Sequence, residues 1–374
     1  MKNIFIFILS IFIVGHLFLN QGIYQTKFDV DHWQEVYDHS QYCVPQCEFR
    51  GNIDDPELFT LAGYRSIQGN DPTLISPEVQ PLTKYFFGIS TTLWGNALPA
   101  QLVFGALSLV LLYYLSLPIL GRFAAMFPPI LLALDPLFRD QLMRPFVDLS
   151  LTFWTLLYLL FLTRNKYRLD FWWGGLVLGL LALSKSFSYG VLFGVITIII
   201  LYRYHTPRLT QILLKIFAVA GLTYLAGYIM FFVHGHTLSD FFLLHYQTLR
   251  LYKDYVPEYP KGEIFRLIFS GQWQTWWGNK ELIPSPFYSV AWPAAIIASF
   301  VTGLSHLRQH QGVFIHLVTI AVLLLFISSR LMFPRYLLPV LPSLYLFLVY
   351  LLHTLPNLLQ LIHAQSSRSL RPRQ

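Results

Sequence analysis

Long apolar segments constrain this chain more than any other feature of its sequence. A helix needs roughly 20 mostly apolar residues to cross the hydrocarbon core of a bilayer. About ten such segments follow one another: 3–21, 98–119, 122–138, 148–163, 170–185, 187–203, 214–233, 286–304, 313–329 and 335–353. Only 12% of the 374 residues are charged, which is about half the fraction usual in soluble domains. The sequence therefore predicts an all-α, multi-pass integral membrane protein that forms a single membrane domain over 1–374.

The distribution of basic residues indicates how these helices are oriented. With an N-terminus inside and ten alternating helices, the inner segments hold 12 basic residues and one acid, and the outer segments hold 14 basic residues and 18 acids. Short basic segments decide orientation; RNKYR at 164–168 and the tail RSLRPRQ both lie inside in this arrangement. We therefore expect a cell-membrane protein with both termini in the cytoplasm. Because no small-residue cleavage site follows 3–21, we expect that segment to be a retained anchor.

Acidic residues are concentrated in the predicted outer segments. The loops 22–97 and 234–285 hold 15 of the 19 acids, and the shorter segment 135–148 holds three more. Any chemistry that needs carboxylates is therefore expected at the extracytoplasmic face, where amphipathic helices would lie against the membrane. The net charge of +7 follows from membrane orientation and contact with anionic lipid, so we expect the lipid bilayer, and no nucleic acid, as a partner.

The segment NIDDPELFTLAGY, residues 52–64, places Asp54 and Asp55 at the head of a predicted surface helix over 56–68. Pro56 suits the first helical position and Asp55 suits the N-cap. An N-cap aspartate accepts hydrogen bonds from backbone N–H groups, whereas a catalytic aspartate takes a proton from a substrate. Spacing leaves both interpretations of Asp55 open.

The residues that follow carry a resemblance to a known family. Downstream of the acidic pair the chain reads QGNDPTLISPEVQPLTKYFFG. This order resembles the GT-C class of glycosyltransferases, in the branch of the protein O-mannosyltransferases and the lipid A aminoarabinose transferase. The matching positions are an acid, an aromatic residue, a small residue, a Gly-x-x-Pro turn and a Pro-Leu-x-Lys segment: Asp55, Phe59, Gly63, Gly69, Pro72 and Pro81-Leu82-Thr83-Lys84. Gln80 stands where the family usually has a first proline.

Three later segments are similar to the same family and occur in the same order. The segment 131–160 carries a second acid, Asp148, at the head of a predicted helix, and GLLALSKSFSY at 179–189 carries a lysine within an apolar run. PRYLLPVLPSLYLF at 334–347 resembles the Arg-Tyr-Leu-Leu-Pro segment of the last helices. The likeness thus touches most of the chain, and its weight comes from the ordered combination of motifs.

The resemblance implies an enzyme that transfers a sugar, such as mannose or another hexose, with inversion. The donor would be a polyprenyl-phosphate-linked sugar, and the acceptor a hydroxyl on a protein, lipid or glycan. Asp55 would act as general base, with Asp54 as the alternative base and Asp148 assisting. Four cations at predicted outer helix ends would hold the lipid phosphate: Lys84, Arg144, Lys185 and Arg335. Basic residues at helix ends also commonly extend to the membrane interface without a ligand.

Other polar features are expected to be solvated or interfacial. Asp29-Val30-Asp31 is similar to the Asp-x-Asp pair with which soluble transferases hold a metal and a nucleotide sugar, but it lies on the predicted face away from the cytoplasmic nucleotide-sugar pool. Asp31-His32 and His234-Gly235-His236 lack the number of spaced ligands that a metal site needs, so we expect no cofactor, with a divalent metal requirement left open. Cys43 and Cys47 could form a disulfide or remain free thiols. Trp273, Trp276 and Trp277 suit a membrane interface.

Two other functional classes share some of these features. A membrane polysaccharide polymerase or ligase would use the same lipid-linked donors and would differ by joining glycans to glycans. A transporter or flippase would place its polar residues near the bilayer midplane, often in repeated halves. This sequence concentrates them in outer loops and shows no internal repeat, which favours a transferase.

Overall fold

The computed structural model describes residues 2–42, 48–164, 171–204, 207–254, 260–275, 279–306 and 310–369. The predictions made for Cys43, Cys47, Trp276 and Trp277 concern residues outside these ranges. The described chain is mostly helical, with 76% of it in helices. Its α-helices are, in chain order, α1 (Lys2–Leu19), α2 (Gln21–Gln25), α3 (Val30–Asp38), α4 (Asp55–Ile67), α5 (Pro81–Trp94), α6 (Leu98–Ala124), α7 (Phe127–Leu134), α8 (Pro136–Met143), α9 (Val147–Arg164), α10 (Phe171–Ser184), α11 (Phe187–Arg203), α12 (Leu209–Gly227), α13 (Ile229–Val233), α14 (Leu238–Asp254), α15 (Glu263–Ser270), α16 (Ala291–His306), α17 (Gln311–Ser328) and α18 (Leu341–Ser369).

Non-helical elements are few and short. Strands β1 (Gln272–Gln274) and β2 (Leu282–Pro284) pair antiparallel as a small hairpin between α15 and α16. A single 3₁₀ turn (Pro334–Leu337) precedes α18. This turn replaces the beginning of the span predicted at 335–353, because the prolines of PRYLLPVLP interrupt the helical hydrogen-bond pattern.

Several helices of the described chain could span a bilayer. Within the described ranges, α6, α12 and α17 are each long and apolar enough, and α8 with α9 would form a fourth span with a bend of 116°. Shorter apolar helices occur in α1, α10, α11, α16 and the first half of α18. The helical membrane-protein class is therefore confirmed, whereas the predicted number of about ten spans is not confirmed.

The span predicted at 122–138 is divided into short pieces. Helix α6 continues to Ala124 across a kink at Gly121, whose φ of +73° lies in the left-handed region. Helix α7 has 8 residues, too few to cross a bilayer. The stretch is apolar, as predicted, but Pro128, Pro129 and Pro136 lack the N–H groups that one continuous helix would need.

Asp135 fixes the elbow between α7 and α8. Its Oδ1 atom accepts hydrogen bonds from the backbone N–H groups of Leu137 and Phe138, at 2.8 and 3.2 Å, and so caps α8. Its Oδ2 atom accepts from Trp292 Nε1 at 2.8 Å and from the Tyr345 hydroxyl. One buried carboxylate therefore ties the elbow to α16 and α18, and all of its oxygen atoms are paired, as burial requires.

Helices α4 and α5 cross at a contact between two glycines. A Cβ atom added to Gly63 would lie 2.0 Å from the carbonyl oxygen of Lys84, and one added to Gly88 would lie 2.1 Å from the carbonyl oxygen of Gly63. The predicted helix over 56–68 is present as α4, and its residues Phe59, Ala62 and Ser66 are buried. The close crossing holds the N-terminus of α4 against the rest of the fold.

We predict that Gly63→Ala destabilises the protein by about 1–3 kcal/mol, because the added methyl group meets backbone atoms that cannot move aside. The measurement is the thermal unfolding midpoint of the purified protein in detergent. Gly15→Ala is the matched control, because a Cβ atom at Gly15 in α1 meets nothing within 4 Å. Equal midpoints for the two variants would contradict the prediction.

Candidate active site

Four charged residues that lie far apart in sequence meet at one end of the helix bundle. Asp55 is the first residue of α4, and Asp148 lies in the first turn of α9. Lys185 occupies the turn between α10 and α11, and Arg335 lies in the 3₁₀ turn before α18. We call these residues the charged network: Asp55, Asp148, Lys185 and Arg335.

Acids and bases alternate along the charged network. Arg335 Nη2 donates to Asp55 Oδ2 at 2.6 Å, and Arg335 Nε lies 3.5 Å from Asp148 Oδ2. Lys185 Nζ donates to the other oxygen of Asp148. The two carboxylates and the two cations balance in charge, which lowers the free-energy cost of burying them together.

The four side chains of the charged network differ in exposure. The Asp148 side chain is 1% exposed and that of Lys185 is 13% exposed, whereas Arg335 is 18% and Asp55 is 40% exposed. Asp148 is therefore the most deeply buried member, and Asp55 lies at the open end. A substrate approaching from solvent would meet the Asp55 carboxylate first.

Aromatic rings hold both cations in place. The Arg335 guanidinium lies 4.3 Å from the ring centroid of Phe333 and 4.5 Å from that of Phe146. Lys185 Nζ lies 4.0 Å from the ring centroid of Tyr336. Cation–π attraction is strengthened where water is excluded, so these rings restrict the cations to one region. Sequence reasoning did not single out these three aromatics, and their only signal was proximity to Arg335 and Asp148.

Local backbone structure explains two of the four positions. Asp148 lies in the first turn of α9, where the helix dipole favours a negative charge. Ser186 caps α11, with its hydroxyl accepting from the N–H of Ser188 at 3.4 Å, so α10 ends at Ser184 and the chain turns at Lys185. The lysine predicted inside the apolar segment 170–185 therefore stands at the end of a helix.

Asp54 lies outside the charged network. It occupies the N-cap position of α4 and is exposed, and its side chain makes no capping hydrogen bond. The N-cap assignment of Asp55 is thus wrong by one residue, because the helix begins at Asp55 and the Asp55 carboxylate is bound by Arg335.

Lys84 is buried elsewhere in the structure. Its ammonium group donates to the carbonyl oxygens of Pro72, Ile75 and Ser76 at 3.1, 3.2 and 3.0 Å. Burial lowers the pKa of Lys84 to about 8, against the opposing effect of Glu78 and Asp71. The structure does not bring Lys84 to the charged network; all three donors of its ammonium group are used to hold the turn at 72–76.

Arg144 lies at the rim of the charged network, close to two carboxylates that were not among the predicted site residues. Arg144 Nε is 3.2 Å from Asp140 Oδ1, and the arginine side chain is 58% exposed. Burial raises the pKa of Glu57, and the positive charge of Arg144 opposes that shift. Glu57 follows Asp55 by two residues, so its presence near the site could have been inferred from position alone.

The weaker motifs have structural roles. Asp29 caps α3 by accepting from the N–H of His32 at 3.1 Å. His234 Nε2 lies 2.8 Å from the carbonyl oxygen of Gly69, and His236 Nε2 lies 2.8 Å from Asp71 Oδ2, so the two histidines connect the segment before α14 to the loop that follows α4. Among the residues that the structure describes, no group of three or more His, Cys, Asp or Glu side chains could hold a metal ion.

An apolar groove of about 720 Å³ lies between α10, α11, α12 and α14. Its wall includes Phe187, two residues beyond Lys185, and the small residues Gly190 and Gly194 of α11. Its lining is almost entirely apolar; the exceptions include the Tyr224 hydroxyl, which is 2.7 Å from His245 Nε2. The groove is thus a lipid-compatible surface next to a charged site.

No protein family model matches the sequence, and no curated protein matches it. Solved structures do match. ArnT from Cupriavidus metallidurans in the apo state aligns with a TM-score of 0.60 and 15% sequence identity, over 79% of this chain and 54% of that one. The same protein bound to undecaprenyl phosphate aligns with a TM-score of 0.59 and 15% identity, over 79% and 55% of the two chains.

A second solved protein has the same architecture. The oligosaccharyltransferase AglB from Archaeoglobus fulgidus, in complex with an inhibitory peptide and a dolichol-phosphate, aligns with a TM-score of 0.54 and 13% identity, over 92% of this chain and 52% of that one. Both neighbours are GT-C glycosyltransferases. The chain therefore has the GT-C fold, and it spans about half the length of the structures that it matches.

The buried position of Lys84 predicts a specific dependence of stability on pH. The folded protein holds this lysine at a pKa of about 8, below the ordinary value of 10.5, so between these pH values the unfolded chain binds more protons. The free energy of unfolding should therefore rise with pH across this window. Thermal unfolding of wild type and Lys84→Met from about pH 8 to pH 10.5 tests this. The free energy of unfolding of wild type should rise with pH relative to that of the variant. Parallel curves would contradict it.

Proposed function

We propose that this protein is an integral membrane glycosyltransferase that transfers a sugar from a polyprenyl-phosphate-linked donor to an acceptor hydroxyl at the extracytoplasmic face, with both termini in the cytoplasm. The observation that carries the proposal is the charged network, in which a half-exposed carboxylate is paired with cations at the open end of a GT-C fold. The network combines a base with fixed positive charge, which are the two elements that this reaction needs.

Asp55 is the proposed general base. As the acceptor oxygen forms a bond to the anomeric carbon, the bond from that carbon to the phosphate oxygen breaks, and its electron pair leaves with the lipid phosphate. The acceptor proton passes to the Asp55 carboxylate, and attack opposite the leaving group inverts the anomeric centre. Asp148 is proposed as a positioning residue, because it contacts both cations from its buried position.

Arg335 and Lys185 are the proposed ligands of the lipid phosphate. Arginine matches phosphate geometry with paired N–H donors, and both cations would offset the negative charge that grows on the leaving phosphate. A phosphate that pairs with Arg335 would compete with Asp55 for the same guanidinium and so free the Asp55 oxygen for the acceptor. Donor binding would thereby activate the base.

The remaining predicted ligands receive different roles. Arg144, at the rim and largely exposed, is placed to meet the donor phosphate or the acceptor as either approaches. Lys84 is assigned to the fold, because its ammonium group is buried and bound to three carbonyl oxygens. Asp54 is assigned no step in the reaction. The sugar is expected to be mannose or another hexose, and the acceptor a protein, lipid or glycan.

The apolar groove is the proposed site of the isoprenoid tail. It lies between membrane helices, and its wall begins two residues from Lys185, so a lipid that occupied it would carry its phosphate toward the charged network. The solved complexes of ArnT with undecaprenyl phosphate and of AglB with a dolichol-phosphate support a lipid-linked donor for this fold.

We predict that Asp55→Asn lowers sugar transfer by about 10²- to 10⁴-fold, because an amide keeps the shape of the carboxylate and cannot take a proton. Transfer is measured in membranes from a panel of radiolabelled polyprenyl-phosphate sugars. Asp54→Asn is the matched control and should retain activity, since Asp54 is exposed and outside the network. Activity retained in folded Asp55→Asn, or lost equally in both variants, would refute the assigned base.

Narrowing the groove should selectively weaken the binding of donors that have long isoprenoid tails. Val195 of α11 lines the groove. We predict that Val195→Trp raises the KM for an undecaprenyl-linked donor about tenfold, because the donor tail would bury roughly two fewer methylene groups. A donor analogue with two isoprene units should be unaffected. Ile199→Trp, one turn further along α11 and outside the groove lining, is the control. Equal effects on both tail lengths would place the tail elsewhere.

A further inference from the structure

A second cavity lies away from the charged network, between α3, α4 and the loop that follows α4. Its volume is about 270 Å³, close to the lower end of the range of roughly 300–1,000 Å³ for small-molecule sites. Polar side chains from all three segments line it: Gln34, Tyr37, Arg65, Asn70 and Asp71. We call it the α3–α4 pocket. The proposed reaction uses none of these residues.

Hydrogen bonds between the segments hold the pocket open in one shape. Arg65 Nε donates to Gln34 Oε1 at 3.0 Å, which connects α4 to α3. The Tyr37 hydroxyl donates to the carbonyl oxygen of Leu74 at 3.4 Å. Asp71 accepts from the N–H of Thr73 at 2.8 Å and pairs with His236 Nε2 at 2.8 Å. A preformed pocket avoids the ordering cost that weakens binding to mobile surfaces.

The chemistry of the lining suits a neutral, hydroxyl-rich ligand. Arg65 and Asp71 balance in charge, so the pocket has no strong preference for an ion of either sign. The Arg65 guanidinium and the Asn70 amide offer donors and an acceptor, which neighbouring hydroxyls of a sugar can use, whereas both oxygens of the Asp71 carboxylate are already bonded to Thr73 and His236. Tyr37 adds an aromatic ring, and the Asn70 side chain is exposed and makes no hydrogen bond to any other described residue.

The position of the pocket relates it to the charged network. Its floor residues Ala62 and Ser66 follow Asp55 by 7 and 11 residues on the same helix. At 1.5 Å per residue the pocket lies about 10–16 Å along α4 from Asp55. Because α4 is held rigidly by its glycine crossing with α5, this separation is fixed.

We propose that the α3–α4 pocket binds a sugar unit of the acceptor, so that the acceptor of this enzyme is a glycan. One ring cannot reach both the pocket and Asp55, so an oligosaccharide is held by one unit in the pocket while another unit presents its hydroxyl to Asp55. This inference rests on the proposed function for the role of the bound glycan, but sugar binding in the pocket is independent of transfer.

The test measures sugar binding directly. Full-length protein in lipid nanodiscs is titrated with the methyl glycosides of mannose, glucose, galactose and N-acetylglucosamine, and binding is followed by saturation-transfer NMR. At least one glycoside should bind wild type, and Asn70→Ala should weaken it about fivefold, as expected for one lost hydrogen bond. Gln68→Ala, exposed and outside the lining, is the control, and Asp55→Asn should bind the glycoside as wild type does.

The outcomes separate this inference from the proposed function. If none of the four glycosides binds, or if Asn70→Ala binds as tightly as wild type, the pocket is not a sugar site, even if sugar transfer from polyprenyl-phosphate donors is observed. If the glycoside binds and Asn70→Ala also raises the acceptor KM in transfer assays with kcat unchanged, the acceptor role is supported. If the glycoside binds but Asn70→Ala leaves the acceptor KM unchanged, the acceptor role is overturned, whereas binding without transfer from any donor would overturn the proposed function and leave the pocket a sugar site.

Discussion

The pairing of buried charges is the constraint on which the arrangement of this protein depends. A lone carboxylate or ammonium group is costly to bury, and its partners must therefore come to it. Asp148 is almost fully buried and contacts two cations, which come from the α10–α11 turn and from the 3₁₀ turn before α18. Arg335 then reaches Asp55 on α4. Four distant segments are thus fixed to one another by the need of each charge for a neighbour of opposite sign.

The sequence identified the members of the charged network, but it did not identify their contacts. Charged residues are scarce in an apolar chain, so Asp148, Lys185 and Arg335 were conspicuous as candidates. Arg335 and Asp55 are 280 residues apart, and no local periodicity predicts such a contact. Lys84, like Lys185, was predicted to bind the lipid phosphate from a helix end, yet it binds three carbonyl oxygens. The path of the loop at 72–76, which brings those carbonyl groups to Lys84, could not be predicted from the sequence.

The helical membrane-protein class was predicted correctly, whereas the breaks within individual helices were not predicted. Hydropathy located most of the apolar helices, because each must satisfy its backbone hydrogen bonds internally when it crosses a bilayer. It could not show that the chain kinks at Gly121, just before 122–138, and breaks again at Asp135, since a kinked helix and a straight one have the same composition. The elbow matters for the site because Asp135 binds it to α16 and α18, just before the chain enters α9 and reaches Asp148.

The exposed position of Asp55 in the charged network bears on where the proton would go in the proposed reaction. Asp55 stands at the open end, with 40% of its side chain exposed, and Asp148 is sealed behind it. In the proposed mechanism, the proton that Asp55 receives can return to bulk water on the same side of the membrane without crossing it. Regeneration of the base would then draw nothing from the transmembrane electrochemical gradient, and the turnover of such an enzyme would be driven by the bond energy of its donor alone.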